Sequence, residues 1–400
     1  MTVPSARALL AASLVVASGA ACGPMSHAPI RPELLDKTTG RASPPLPDVT
    51  RERMRVAVYG DSQGNSTAHR AIVEAILKEK PDLVLFAGDA IDHLPAGHMP
   101  DWGGWQYLVP IWPQYVRGYA WVSLLTLIPF PAAIHETILG AIAPPRPPPD
   151  LNGWLEDTGP LRKAGIPVLA ARGNHDAYHV VDEAQFASLF SPPGAPELSP
   201  TGFWYSVDRG GWRFLVLDTG TDMFGDRDPM PVGGAQLTWL ESRLSDADRL
   251  GLRSIVLLHL PPFSSGREER GVPWVRKRVV EDILDRHPVA LVLSGHIHAY
   301  ERIVRPGFEG SPVNYLVSGG AGGRFFRSRD RREEGSAIFV EGVRHFVLLD
   351  LGPEGVSGQV IPVRVEGEDW RKPASPLDTF EVVLPAGAGA TCSGRSPSDR

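Results

Sequence analysis

Short apolar strands alternate with amphipathic helices along this chain, then strands follow one another, and that order predicts a mixed α/β fold. A hydrophobic fraction of 42% supplies an ample core. The 42 Gly and 39 Pro interrupt the pattern often, so much of the chain runs in turns and loops between short elements. Its 400 residues hold either two average domains or one large α/β domain with insertions. No internal repeat of fixed period divides them.

The elements follow in order. Met54–Tyr59 is an apolar run with one polar break, closed by Gly60, and reads as a buried strand. Asn65 or Ser66 can cap a helix that carries Ile72, Val73, Ile76 and Leu77 on one face, and Pro81 ends it. Residues 83–87 form the next strand. A helix closing over 161–164 precedes a strand over 167–171. Residues 203–207 and 212–217, joined through Arg209-Gly210-Gly211, read as a hairpin. The helix 236–244 leads to the strand 254–258, and the helix 275–284 to the strand 289–293. Residues 313–317 and 346–351 add two more strands.

The first residues read as an export signal. Arg7 is the lone positive charge before an apolar run over 8–17 that only Ser13 breaks, and small residues lead to Gly19, Ala20, Ala21 and Cys22. The run is too short for a permanent span. A cysteine directly after small residues matches a bacterial lipobox, except that Gly19 stands where Leu is usual. Segment 1–22 is therefore expected to direct export, to the periplasm or to a membrane through a lipidated Cys22, with plain secretion and an uncleaved anchor as alternatives. Left unlipidated, Cys22 has Cys392 as the only other cysteine with which to pair. Residues 23–50 are expected to be a flexible tether, 51–385 the catalytic domain and 386–400 a disordered tail.

An insertion over 93–150 interrupts the alternation. Its first half carries Trp102, Trp105, Tyr107, Trp112, Tyr115, Tyr119 and Trp121; between 119 and 143 only His135 and Glu136 are ionisable. Pro129 and Pro131 would break a spanning helix, so the segment reads as a helical hairpin lid or as a surface that touches membrane or lipid, with a true span as the remaining alternative.

Five strand ends carry metal-binding residue types: Gly60-Asp61-Ser62-Gln63, Gly88-Asp89, Gly173-Asn174-His175-Asp176, Leu258-His259 and Gly295-His296-Ile297-His298. Taken singly, each has an ordinary structural explanation, since Asp caps helices and Asn-Asp pairs make turns. The pair His296 and His298 is stronger, because two-residue spacing in extended chain puts both imidazoles on one side. In an α/β protein, loops at strand carboxyl ends meet at one rim, so all five can converge. Carboxylate, imidazole and amide ligands without thiolate suit Zn²⁺, Mn²⁺ or iron. One shared carboxylate can hold two cations about 3.5–4 Å apart, the spacing used for in-line displacement at phosphorus. Such a pair activates water as hydroxide near neutral pH and offsets charge on phosphoryl oxygens.

Taken together, the five segments resemble the calcineurin-like metallophosphoesterases, and His296 to His298 followed by Ala299-Tyr300-Glu301-Arg302 resembles the purple acid phosphatase branch. The resemblance spans about Arg55 to Arg302 and leaves out the insertion and the tail. It implies a four-layer α/β/β/α sandwich. It also implies that Asp89 bridges two metal ions, that Asn174, His259 and His296 complete one set, and that Asp61 and His298 serve the other. His175 would be the catalytic general acid, oriented by Asp176. Two positions depart from the family pattern. Many relatives have His two residues after the first Asp, where this chain has Gln63; the purple branch has Tyr three residues after the bridging Asp, where this chain has Asp92. Asp92 or Gln63 is therefore the candidate replacement ligand, and the visible band of a tyrosinate-to-iron centre is not expected.

These readings converge on an exported binuclear phosphoesterase that hydrolyses phosphate mono- or diesters. The alternatives are a lipid-directed phosphodiesterase that uses the apolar insertion, and a metal-binding or sensing protein that has lost turnover. A net charge of −6 gives no reason to expect a nucleic-acid partner. Arg324, Arg327, Arg329, Arg331 and Arg332, after Gly319-Gly320-Ala321-Gly322-Gly323, read either as steering for an anionic substrate or as a solvated loop paired with Asp330, Glu333 and Glu334.

Overall fold

A computed structural model describes residues 29–46, 53–91, 151–177, 180–192, 202–219, 234–267, 271–329, 331–369 and 373–383. The export segment with Cys22, Asp92, the insertion, Asp330 and the tail with Cys392 lie outside the described residues. The strands are β1 (Met54–Tyr59), β2 (Leu83–Phe86), β3 (Val168–Ala170), β4 (Tyr205–Arg209), β5 (Trp212–Val216), β6 (Arg253–Leu257) and β7 (Val289–Ser294). They continue with β8 (Tyr300–Pro306), β9 (Pro312–Ser318), β10 (Ser336–Val340), β11 (His345–Gly352), β12 (Gly355–Pro362) and β13 (Asp378–Val383). The helices are α1 (Ser66–Glu79), α2 (Leu151–Asp157), α3 (Gly159–Lys163), α4 (Val180–Phe190) and α5 (Gly234–Leu250).

Two sheets result. One is six-stranded in the order β13-β12-β11-β1-β2-β3, and the other seven-stranded in the order β10-β8-β9-β7-β6-β5-β4. Strands β1, β2 and β3 are parallel, as are β5, β6, β7 and β9. Helix α1 connects β1 to β2 and α5 connects β5 to β6, while β7 reaches β9 through the antiparallel β8; the helices lie outside the sheets because two-residue alternation leaves each strand apolar on both faces. Val56, Val58, Leu85, Phe214, Val216, Leu257 and Leu293 turn inward and form a core shared by the two sheets. The alternate residues Ala57, Tyr59, Val84 and Phe86 meet Ile72, Ile76, Trp154 and Leu161 on the outer face of the first sheet. Leu215, Val256 and Val292 meet Leu240, Leu244 and Val279 on the outer face of the second. Each fully buried Val, Leu, Ile or Phe among them contributes roughly 1.5–3 kcal/mol. The four-layer order α/β/β/α follows from this parity.

Local chemistry sets the element ends. The Asn65 carbonyl oxygen of the side chain accepts the Ala68 amide at 3.2 Å, so Asn65, rather than Ser66, caps α1. Lys80, left-handed at φ 50°, closes the helix one residue before Pro81. In the hairpin, Gly210 and Gly211 take φ of 57° and 81°, the pair of left-handed conformations that a two-residue turn needs.

Three expectations need correction. The predicted tether is packed over 30–46: Ile30, Leu34, Leu35 and Ala42 join the outer core of the first sheet, and Ser43 Oγ accepts the Val168 amide at 2.9 Å. Its apolar residues find a groove beside α2, where Arg31 also pairs with Glu156 at 2.6 Å. The helix expected over 275–284 is irregular, with a π turn over Arg276–Glu281 and a 3₁₀ turn over Leu284–Arg286. The sequence pattern does not predict β8, β10, β12 and β13: charged residues or glycines interrupt the alternation in β8, β12 and β13, and β10 is only five residues long. Among the described residues, no helix is long and apolar enough to cross a membrane.

Candidate metal centre

Every parallel strand delivers its carboxyl end to one rim. Asp61 follows β1, Asp89 follows β2, Asn174 and His175 follow β3, His259 follows β6, and His296 and His298 follow β7. The turns that carry them are tight. Asp61, Gln63, Asp89 and His296 all sit at positive φ, of 64°, 44°, 59° and 68°. This conformation costs a non-glycine residue on the order of 1–3 kcal/mol, and here it is concentrated at the rim. Gly88 takes φ 94° and passes so close to the next loops that an added Cβ would lie 2.7 Å from the Gly173 nitrogen and 2.8 Å from His259 Nδ1.

The side chains converge. Oxygens of Asp61 and Asp89 and a nitrogen of His259 lie within 4.8 Å of one another, all buried. The His259 Nδ1 donates to the Ala87 carbonyl at 2.7 Å, because a carbonyl can only accept. Nε2 is left with its lone pair, 2.8 Å from Asn174 Oδ1 and 3.4 Å from Asp89 Oδ1. Burial pushes the His259 imidazole below its ordinary pKa despite the nearby Asp89 and Asp61. His296 Nδ1 approaches the same Asn174 oxygen at 2.9 Å, with its ring edge-on to that of His259. His298 Nδ1 donates to the Arg324 carbonyl at 2.6 Å, which turns Nε2 toward Asp61 Oδ1 at 3.5 Å.

Two groupings result, joined at Asp89: Asn174, His259 and His296 on one side, Asp61 and His298 on the other. The six-stranded sheet brings the oxygen-bearing side chains, and the seven-stranded sheet brings the imidazoles. Asp61 and Asp89 are both fully buried, and among the described residues neither meets a Lys or Arg side chain. Among the described residues only neutral donors and histidines meet these two carboxylates, and a cation between them would offset the cost of burying both. The donor set fits hard or borderline cations.

Asp89 and Asp176 are set apart by their surroundings. Burial raises the Asp89 carboxyl, but His259, His175, His296 and the His175 amide outweigh it and bring the pKa down to about 2. Burial, and then Asp89 itself, raise Asp176, against three amide donors. Those donors occupy both Asp176 oxygens. Asp176 accepts the amides of Gly173 at 2.9 Å, Asp89 at 2.8 Å and Ala90 at 2.9 Å, and does not hydrogen-bond the His175 ring. It ties the Gly173 and Asp89 loops together. His175 donates its backbone amide to Asp89 Oδ1 at 3.0 Å, and its ring Nε2 stands 3.8 Å from Asp89 Oδ2. Gln63 turns its amide nitrogen, not its oxygen, to Asp89 Oδ2 at 3.2 Å. In this orientation it donates to the central carboxylate rather than offering a ligand atom.

Sequence reasoning missed a further loop at this rim. After β5, Thr219 Oγ accepts the amides of His259 at 3.2 Å and Leu260 at 3.0 Å. Beside it Asp218 pairs with Arg172 at 2.7 Å, both buried. The signal was present, since Asp218-Thr219 also follows an apolar strand. The cluster after the glycine-rich loop resolves in favour of structure at Arg329, whose guanidinium donates to the Ser264 carbonyl at 2.6 Å and meets Glu333 at 3.4 Å.

Residues 54–300 match the model of the calcineurin-like phosphoesterases. The chain belongs to that family. Its similarity to curated family members runs toward the purple acid phosphatases of Arabidopsis thaliana. It is 23% identical to purple acid phosphatase 23 over 265 residues, which is 65% of this chain and 50% of that one. It is 28% identical to purple acid phosphatase 22 over 145 residues, 35% of this chain and 32% of that one. The chain thus spans half or less of the length of these relatives. The fold of this calcineurin-like chain is similar to that of purple acid phosphatase PPD1 from yellow lupin seeds, with a TM-score of 0.51 at 17% identity, over 87% of this chain and 56% of that one.

Proposed function

We propose that this chain is an exported, binuclear metal-dependent phosphoesterase that hydrolyses small phosphate mono- or diesters. The observation that carries the reading is the buried convergence of Asp61, Asp89 and His259, two carboxylates and an imidazole with no Lys or Arg side chain between them among the described residues. Asp89 would bridge two ions of Mn, Zn or Fe, with Asn174, His259 and His296 completing one set and Asp61 and His298 serving the other. Bound there, the ions supply Lewis acidity to the phosphoryl oxygens and lower the pKa of water. The protein's own part is orientation and proton supply. The Ala87 and Arg324 carbonyls fix the tautomers of His259 and His298, so that each presents Nε2 to the site. His175, next to Asp89, would give a proton to the leaving alkoxide. Asp176 holds the loops that carry Asp89 and His175 rather than the His175 ring. Gln63 would steady the bridging carboxylate. Asp92 stays a candidate ligand on sequence grounds alone, as do export through segment 1–22 and lipidation at Cys22.

The test is hydrolysis of an aryl phosphate and an aryl phosphodiester by protein stripped of metal and then supplied with Mn²⁺, Zn²⁺ or Fe²⁺. Activity should appear only with metal and fall at least about 10³-fold in Asp89→Ala, the scale of a lost charge-stabilising group. The purified protein should lack a strong visible charge-transfer band. Stoichiometric metal binding without turnover of either ester class would sink the enzymatic reading.

A further inference from the structure

The glycine-rich loop after β9 and the buried Arg344 before β11 stand apart from the chemistry assigned so far. Arg344 is 6% exposed, and its guanidinium is fully engaged. Nε and Nη2 grip the Glu368 carboxylate, at 3.0 and 2.7 Å, and Nη1 donates to the Gly323 carbonyl at 2.7 Å. The same guanidinium lies over the Phe325 ring, 4.1 Å from its centroid. The segment it holds wraps His298. The Gly323 amide donates to the Asp61 carbonyl at 2.9 Å. A Cβ on Gly323 would lie 2.6 Å from His298 Nδ1 and 2.8 Å from Gln63 Oε1, so only glycine fits against that imidazole. The Arg324 carbonyl takes the His298 Nδ1 proton at 2.6 Å, and the Phe326 ring stacks on the imidazole at 4.5 Å. The Phe326 amide completes the wrap by donating to the His298 carbonyl at 3.1 Å.

We infer that Arg344, braced by Glu368, is a positioning residue that holds the Gly323–Phe326 segment around His298 and thereby sets the affinity of the cation on the Asp61 and His298 side. The inference rests on the ligand grouping proposed above. Physically, the guanidinium fork satisfies a carboxylate and a carbonyl at once, which a lysine ammonium at one point cannot do with the same geometry. Without it the Gly323–Arg324 peptide loses its anchor, and the carbonyl that fixes the His298 tautomer moves with it. Groups that orient a metal-ligating histidine in this way typically change affinity by 10–100-fold. The other cation site, built on Asn174, His259 and His296, takes a histidine anchor from the Ala87 carbonyl, in the loop after β2.

The experiment is a titration of the stripped full chain with Mn²⁺, followed by competition with a chelator and by electron paramagnetic resonance, in wild type, Arg344→Gln, Arg344→Lys and Glu368→Gln. Wild type should bind two ions and show the spin-coupled spectrum of a pair. Arg344→Gln should keep the affinity of one ion and lose about 10–100-fold in the other, so that an isolated Mn²⁺ signal replaces the coupled one at limiting metal. Arg344→Lys should fail to restore the pair, and Glu368→Gln should shift in the same direction by less. If Arg344→Gln does not fold, Glu368→Gln alone decides, since Glu368 is part-exposed and keeps the arginine in place. Wild type that binds fewer than two ions defeats the underlying ligand grouping. Two ions of unchanged affinity in the variants, or equal weakening of both, overturns the role of Arg344 while leaving that grouping intact.

Discussion

Asp176 shows how much a single residue's role depends on where its hydrogen bonds go. Its place in the Asn-His-Asp triplet suggests a partner for the His175 ring, yet its two oxygens hold three buried amides of the Gly173 and Asp89 loops. Removing an acceptor leaves each buried donor unmet, at about 1–3 kcal/mol apiece. Asp176→Ala should therefore destabilise the protein by on the order of 3 kcal/mol or more, and Asp176→Asn, which keeps one acceptor oxygen, by less. Urea unfolding measures both. A ring-orienting role predicts the opposite pattern, near wild-type stability with a large fall in kcat. The sequence carried the residue types of the centre well, because Asp61, Asp89, Asn174, His259, His296 and His298 each follow an apolar strand. It did not carry the direction of each side chain, which depends on loop carbonyls such as those of Ala87 and Arg324. Nor did it carry the positive φ at Asp61, Asp89 and His296: Asp and His enter the left-handed region more readily than most residues, but no local pattern says which of them do.

Elements were legible where periodicity and punctuation agreed. Helix α1 has an apolar face, a cap in Asn65 and a stop in Lys80-Pro81, and all three appear in the structure. The cap does more than start the helix. Asn65 Nδ2 also donates to the Gly322 carbonyl at 3.0 Å, tying α1 to the glycine-rich loop. Asn65→Ala should cost about 1–2 kcal/mol, at the upper end for a cap, and urea unfolding with an unchanged m value checks it. A loss under about 0.5 kcal/mol would show the cap to be dispensable. Strand β8 was hidden for the opposite reason. It carries Glu301, Arg302 and Arg305, and charged residues argue against a buried strand until their partners are known. Glu301 is fully buried because Ser265 and Ser336 satisfy it, and Arg302 pairs with Asp378 at 2.7 Å. Those partners are 36, 35 and 76 residues away, beyond the reach of any local pattern.

For the whole molecule, layer order was within reach of the sequence, because strands apolar on both faces require covering on both sides. The division of the strands into two sheets was not, since β11 pairs with β1 across nearly the full length of the domain. The centre joins those two sheets, so metal should stabilise the fold as well as activate it. Stripping metal should lower the midpoint of thermal unfolding, and adding Mn²⁺ or Zn²⁺ at 100 times its Kd should restore about 2.7 kcal/mol. Scanning calorimetry across metal concentrations tests this, and a melting temperature indifferent to metal would contradict it. The split of ligand types between the sheets has one more consequence. Oxygen donors ride on one layer and nitrogen donors on the other, so the reach between them is only as constant as the slip between the layers. A packing change at Leu85 or Phe214, deep in the shared core, would then be felt at the rim as a stretched or shortened gap for the ions, with no ligand itself altered.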